Sequence, residues 1–319
     1  MNKTLTVSVA CYNVEKYIST VLDSLSGTDV ADDLEVIVVN DGSTDGSAAV
    51  VRQYVERYPN VLRLVNKENG GWGSTVNTSI KQATGKYFKI LDGDDWFDKE
   101  QLPLFIAALK ERDEDLVFSK FTVFYDDGSA SIVKEQDYPY TKPFGVCMID
   151  KMNMHALAVK TDVLKNNGVN LLEHCFYTDL EFFVRSVYYS KTAISLPINV
   201  YCYRLGREGQ SVSFVGYMKH VNDHERVVLT LLSLMKNNPK FDNIRKNTSL
   251  IALHLGVLTL FEPTKENKAR FLNFVKTVKN EFPNDSKGVG IKYGVLMNLP
   301  SLLYGATCRY RRKKLGIKV

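Results

Sequence analysis

The feature that most constrains this chain is the alternation of its first hundred residues between strand-like and helix-like runs. Residues 5–10 are apolar and β-branched, and residues 15–25 set Tyr17, Ile18, Val21, Leu22 and Leu25 at helical spacing. Residues 34–39 (LEVIVV) form a near-continuous apolar run, as expected of a strand covered on both faces. The pattern then predicts a helix over 48–58, a strand over 61–65, a helix to Ala83 capped by Ser74, a fourth strand over 87–91, and a helix capped by Asp98 that runs to Leu109. Such alternation implies an α/β fold: a mostly parallel sheet with right-handed crossovers and helices on its faces. In open sheets of this kind ligands bind beyond the carboxyl ends of the strands. Those ends read ACYN, VNDGS and LDGDD, so their polar residues are expected to converge.

Beyond residue 116 the pattern is mixed. Asp126 to Gly128 predicts a hairpin turn, with helical spacing over 180–189 and a strand over 198–203. After Phe214 the spacing is helical throughout, over 217–235, 248–261 and 265–282. This divides the 319 residues into an α/β domain, 1–214, and a helical C-terminal extension, 215–319.

The net charge of +5 is unevenly placed: Arg309, Arg311, Arg312, Lys313, Lys314 and Lys318 cluster without an acidic neighbour, and the rest of the chain is close to neutral. That excludes a nucleic-acid-binding body, which would carry its charge on the folded surface. Cys11, Cys147, Cys175, Cys202 and Cys308 are scattered without a CxxC pair, which points away from a disulfide framework or zinc site and towards a reducing compartment. The first apolar run ends at Asn13 and Glu15, too short for a signal peptide, and no run reaches the ~18 residues that span a bilayer. The expected location is cytoplasmic. Apolar residues 291–305 followed by the basic cluster place the chain peripherally on the inner face of the membrane, against anionic lipid; the bland alternative is a packed helix with a frayed basic end.

Asp92, Asp94 and Asp95 crowd three carboxylates into four residues at a strand end. Two unit charges ~4 Å apart repel by about 4 kcal/mol near a protein surface. Either this is a solvated turn with Asp95 or Asp98 capping the next helix, or a divalent metal bound with a diphosphate offsets the repulsion. Asp41, in VNDGSTDGS, belongs to a tight turn or accepts from a nucleobase N–H; Tyr12 flanks a base or is a turn aromatic. Arg204 and Arg207 clamp a diphosphate or are loop charges. His155 and the His220/His224 pair lack a matching carboxylate in their surroundings, and a solvated helix face is expected for the pair.

ACYN (10–13), NDGSTD (40–45), NGGWGSTVN (69–77), DGDDW (92–96) and YTDLEFF (177–183) stand in the order and spacing of family 2 glycosyltransferases, and YRLGREGQSVS (203–213) resembles a bacterial surface-polysaccharide subgroup of that family. The resemblance spans about residues 4–213. It implies a GT-A fold, inversion at the sugar, a nucleotide-sugar donor, UDP-linked by preference, and a divalent metal, Mg²⁺ or Mn²⁺. It also implies a glycan or lipid-linked acceptor. Ala10, Tyr12, Asn13 and Asp41 then hold the nucleotide; Asn77 and Arg207 join the donor site. Asp94 ligates the metal, Asp92 meets the ribose or a metal-bound water, and Asp95 stands beside them. Asp179 takes the place of the catalytic base. The chain departs from the family pattern at Val76, where many members carry a basic residue, and at Thr178, where they carry Glu. The helical third is compatible with a homodimer. The rival readings are a sugar-phosphate nucleotidyltransferase, which would open with a Gly-rich basic loop that ACYNVEKY does not supply, and a binding protein that retains the nucleotide pocket without catalysis.

Overall fold

The expected alternation forms. β1 (Leu5–Cys11), α1 (Glu15–Leu25), β2 (Leu34–Asp41), α2 (Ser47–Arg57), β3 (Leu62–Lys67), α3 (Trp72–Gln82) and β4 (Tyr87–Asp92) follow one another, and β3, β2, β1 and β4 lie side by side and parallel. The computed structural model describes residues 3–27, 29–134, 153–206, 214–236, 250–287 and 289–317. The chain divides into two units, Met1–Phe144 with Lys151–Gln210 and Gly145–Asp150 with Ser211–Val319.

In the first unit, every residue of β2 is buried, which accounts for its unbroken apolar sequence. Later strands extend the sheet in mixed sense. β8 (Leu157–Lys160) runs antiparallel between β4 and β6 (Leu116–Tyr125), and β9 (Ala193–Leu205) runs parallel to β6. The two-residue β5 (Trp96–Phe97) pairs with β9, and β7 (Ile132–Lys134) closes the expected hairpin on β6. The helices α4 (Gln101–Lys110), α5 (Thr161–Asn166) and α6 (Thr178–Tyr189) complete the unit. Asp98 caps α4 as expected, its Oδ1 accepting from the Glu100 and Gln101 amides. Ser74 does not begin α3: the helix starts at Trp72, after Gly71 in the left-handed region, and the Ser74 hydroxyl donates back to the Gly71 carbonyl.

The second unit is helical: α7 (Phe214–Lys219), α8 (Val221–Met235), α9 (Leu250–Leu258), α10 (Lys265–Glu281), α11 (Pro283–Lys287), α12 (Gly290–Asn298) and α13 (Pro300–Lys314). Thr264 caps α10 by accepting from the Asn267 amide, and Pro300 opens α13, where a missing N–H leaves nothing unsatisfied. Its core includes Val227, Leu231, Leu255, Phe271, Phe274 and Tyr304. One alternative and one expectation are corrected here. The basic run is not a frayed end: Arg311 donates to the Gly256 carbonyl and the Thr259 hydroxyl, and Arg312, 4% exposed, donates to the Leu260 carbonyl. These guanidinium groups satisfy acceptors at the carboxyl end of α9 that its own helix cannot reach. His224 does not face solvent; it is buried against His254, their Nδ1 atoms 2.9 Å apart. Among the described residues no helix is long and apolar enough to cross a membrane.

Candidate active site

β4 delivers the acidic tip. Ala10 of β1 is in register with Asp92, and a side chain on Gly93 would collide with the Ala10 carbonyl, so only glycine lets the chain turn here against β1. The turn folds Asp94 and Asp95 inward, leaving them 8% and 1% exposed. Asp95 Oδ2 accepts from the Tyr201 hydroxyl at 2.6 Å and Oδ1 from the Arg204 amide at 2.8 Å. Burial, and then the charges of Asp92 and Asp94, raise its pKa well above the carboxylate range. Asp92 Oδ1 accepts from the Trp72 indole at 2.7 Å. The Arg204 side chain lies between the rings of Tyr17 and Trp96, donates to the Asp94 carbonyl and pairs with Asp126 at 2.8 Å. It is therefore built into the scaffold of the tip. Arg207 lies outside the described residues.

His155 is a functional candidate that sequence reasoning set aside. The one-turn 3₁₀ helix Met154–Ala156 leads into β8 and brings its Nε2 to 3.8 Å from Asp95 Oδ2, correcting the expectation that it lacks a carboxylate neighbour. The ring stacks on Tyr203 with centroids 4.0 Å apart and meets Tyr201 edge-on. Among the described residues neither ring nitrogen has a hydrogen-bond partner. Burial, then the nearby Lys89 charge, push its pKa down to about 3, so it is neutral and free to offer a lone pair. Lys89 itself donates to the His155 carbonyl at 2.7 Å, and burial lowers its pKa to about 7. Asp92, Asp95 and His155 bring donor atoms within 4.8 Å of one another. Two carboxylates and an orphaned imidazole fit a divalent cation, whose charge would offset both the crowding and the unpaired nitrogen.

The neighbouring strand ends supply the rest of the rim. Asn13 has positive φ; its Oδ1 accepts from the Thr44 amide at 2.9 Å, and its own amide donates to Ser43 Oγ. This ties the end of β1 to the turn after β2 and leaves Tyr12 51% exposed beside it. Asp41 is 2% exposed, and its carboxylate accepts from Lys67 Nζ, the Gly70 and Gly71 amides and the Ser74 hydroxyl. It thus shapes the Gly-rich turn from within. Val76 is fully buried, so this position in α3 faces the core.

The Gly-rich turn is in turn stitched to the loop that precedes α6. Asn77 Oδ1 accepts from the Leu171 amide at 2.7 Å while its Nδ2 donates to the Leu171 carbonyl at 3.0 Å and to Glu173. The His174 amide donates to the Gly70 carbonyl at 2.6 Å, and a side chain on Gly73 would collide with the Leu172 carbonyl. Glu181, fully buried, accepts from the Leu172 amide and pairs with Arg185. These contacts fix the start of α6, which follows Tyr177 in the left-handed region. Asp179 sits in its first turn, where the helix dipole and the amides of Asp179 and Leu180 favour the charged form. The residue is exposed, and desolvation by the protein around it, the largest influence, raises its pKa against those amides. The half-buried Tyr203 hydroxyl is pushed up by burial and then by the charges of Asp95, Asp92, Asp94 and Asp179.

Residues 6–156 match the family model of glycosyl transferase family 2. Over 98% of its length the chain is 26% identical to a poly(ribitol-phosphate) beta-glucosyltransferase of Bacillus spizizenii, of which it spans 51%. The chain therefore covers about half the length of that relative. Among solved structures, TarS 1-349 of S. aureus in complex with UDP-GlcNAc superposes with a TM-score of 0.71 at 21% identity, covering 98% of this chain and 92% of that one. The mannosyltransferase PcManGT of Pyrobaculum calidifontis, in complex with GDP-Man and Mn²⁺, superposes at 0.56 and 19% identity, covering 97% and 85%. Strand ends, acidic tip and family model agree: residues 6–156 form a glycosyl transferase family 2 domain, and the chain has the GT-A fold of TarS.

Proposed function

We propose that the protein is an inverting glycosyltransferase. It moves a sugar from a nucleoside-diphosphate-sugar, UDP-linked by preference, to a hydroxyl of a glycan or lipid-linked acceptor in bacterial surface-polysaccharide synthesis. The observation that carries this reading is the acidic tip at the carboxyl end of β4, where donor atoms of Asp92, Asp95 and His155 lie within 4.8 Å of one another. TarS binds UDP-GlcNAc on the same fold, which supports the choice of donor.

The ends of β1 and β2, with Ala10, Tyr12 and Asn13, form the nucleotide side, and Asp41 shapes it by holding the Gly70–Gly71 turn. Asp92, with Asp95 and His155, would hold a divalent cation; Asp94, the ligand expected from the family pattern, lies between Asp92 and Asp95 in sequence and is not one of this set. Mn²⁺ in PcManGT supports the class of ion. When bound, such a cation supplies positive charge against the charge growing on the departing diphosphate. Asp179 accepts the proton of the acceptor hydroxyl. The oxygen forms its bond to the anomeric carbon on the face opposite the leaving diphosphate, and one displacement inverts the centre. The raised pKa of Asp179 makes it a better proton acceptor than an ordinary carboxylate.

The test is a panel of nucleotide-sugars assayed for nucleoside diphosphate release, with and without added Mg²⁺ or Mn²⁺. Metal-dependent diphosphate release in the presence of a glycan acceptor is expected. Pyrophosphate release from a nucleoside triphosphate, or nucleotide binding with no release, would overturn the reading. Asp179→Asn is expected to lower turnover by roughly 10²–10⁴-fold with donor affinity nearly intact. It should also abolish the acidic limb of the rate profile, since activity rises with pH as the base loses its proton.

A further inference from the structure

The second unit carries an unusual surface on its last two helices. Ile291 and Val295 of α12 and Leu299, its C-cap, follow one another at four-residue intervals and are 90%, 48% and 51% exposed. On α13, Tyr304, Cys308 and Arg312 form the buried face. At ~100° per residue, Leu302, Ala306, Tyr310 and Lys313 turn away from that face. Leu302 is 73% and Tyr310 64% exposed, and Leu315, just beyond the helix, is 58% exposed. Lys292, Arg309, Lys313 and Lys314 are exposed among these apolar side chains. From Ser286 to Val319 there is no aspartate or glutamate.

Arg311 and Arg312 add a second point. They hold the inward side of α13 to the end of α9, so the outward side is presented by an anchored helix. An apolar stripe flanked by cations, without acidic residues, complements an apolar layer under negative headgroups. A second protein copy is a poorer complement, because interface cores are depleted in lysine and like charges would meet across a symmetric contact.

We propose that the exposed face of α12 and α13 docks on the surface of an anionic lipid bilayer, with Ile291, Val295, Leu299 and Leu302 entering the apolar boundary and Lys292, Arg309, Lys313 and Lys314 meeting the headgroups. The contact is interfacial; neither helix crosses the bilayer. It is independent of the chemistry assigned to Asp92 and Asp179.

The test is sedimentation of the full chain with vesicles of equal phosphatidylglycerol and phosphatidylcholine, against phosphatidylcholine alone. Binding only to the anionic vesicles is expected, weakened by high salt. Two variants approach the face through different chemistry: Arg309→Glu with Lys313→Glu, and Ile291→Glu with Leu302→Glu. Each is expected to weaken partitioning by at least about tenfold. Hydrogen exchange of the wild-type protein supplies a readout without substitution: residues 290–314 should gain protection when anionic vesicles are added. Equal binding to neutral vesicles, unchanged partitioning of both variants, or no added protection would overturn the proposal. So would a wild-type dimer that Ile291→Glu with Leu302→Glu splits into monomers, which would show that a second copy covers the face. Equally tight binding of soluble polyphosphate by the wild type and the apolar variant would also overturn it, marking the surface as a simple polyanion site.

Discussion

Two sites in this protein bury histidine, and they satisfy it in opposite ways. In the helical unit, His254 Nε2 lies 3.3 Å from Glu225 and its Nδ1 2.9 Å from His224 Nδ1. The pattern closes if His254 donates from Nε2 to Glu225 and accepts at Nδ1 from His224. The rings stack on each other, and His254 meets Phe274 edge-on. In the sheet unit, His155 is as well stacked and almost as buried, yet both nitrogens lack a partner among the described residues while two carboxylates stand close by. A satisfied buried pair is architecture. An orphan beside carboxylates is an invitation to a ligand, because leaving a buried polar group unmade costs ~1–3 kcal/mol unless something completes it.

The sharpest way to break this contrast is His155→Phe, which keeps the stack on Tyr203 and removes both nitrogens. Affinity for Mn²⁺, read by electron paramagnetic resonance without donor, is expected to fall by about 10–100-fold, the scale seen when a metal's protein surroundings are altered. The melting temperature should hold or rise. Unchanged Mn²⁺ affinity would make His155 another architectural histidine. The reciprocal change, His254→Leu, is expected to destabilise the chain by about 1–3 kcal/mol in denaturant unfolding, since the buried Nδ1–Nδ1 hydrogen bond to His224 is lost. Its Mn²⁺ affinity should match wild type; a loss there would erase the distinction.

A smaller effect concerns acid. Burial lowers the pKa of His224 to about 3 and that of His254 in the same direction, although Glu225 partly opposes the shift in His254. The unfolded chain therefore binds more protons than the native one once pH drops below the ordinary histidine value of 6.5. Stability conferred by the pair is fully present above that value and declines towards acid pH, with a slope of up to ~1.4 kcal/mol per pH unit for each histidine. Unfolding between pH 7 and 5 should show this slope, and His254→Leu should reduce it. An identical slope in both proteins would place the acid sensitivity elsewhere.

Much of the sheet was legible because its strands are short apolar runs separated by turn chemistry, a local pattern. The acidic tip was legible for the same reason: Asp92, Asp94 and Asp95 adjoin the strand that carries them. What escaped depends on contacts between distant segments. His155 reaches Asp95 only because β8 inserts antiparallel between β4 and β6, and nothing around Met154–Ala156 announces that neighbour. The spacing of His220 and His224 suggested a pair on one helix face, whereas the partner of His224 comes from α9. The arginines and lysines at 309–314 read as a lipid-facing cluster or a frayed end; the carbonyls that claim Arg311 and Arg312 lie at 256 and 260. Asn77 was legible as a motif residue, but its grip on Leu171 was not.

That grip has a mechanical consequence. Helix α3 touches the acidic tip at one end, through Trp72 and Asp92, and clasps the segment leading to Asp179 through Gly73 and Asn77. It works as a spacer bar whose length is set by covalent geometry. In the reaction proposed above, the span between the Asp92 tip and Asp179 is then held constant from one turnover to the next, and any motion of the site comes from parts of the chain not fastened to this bar.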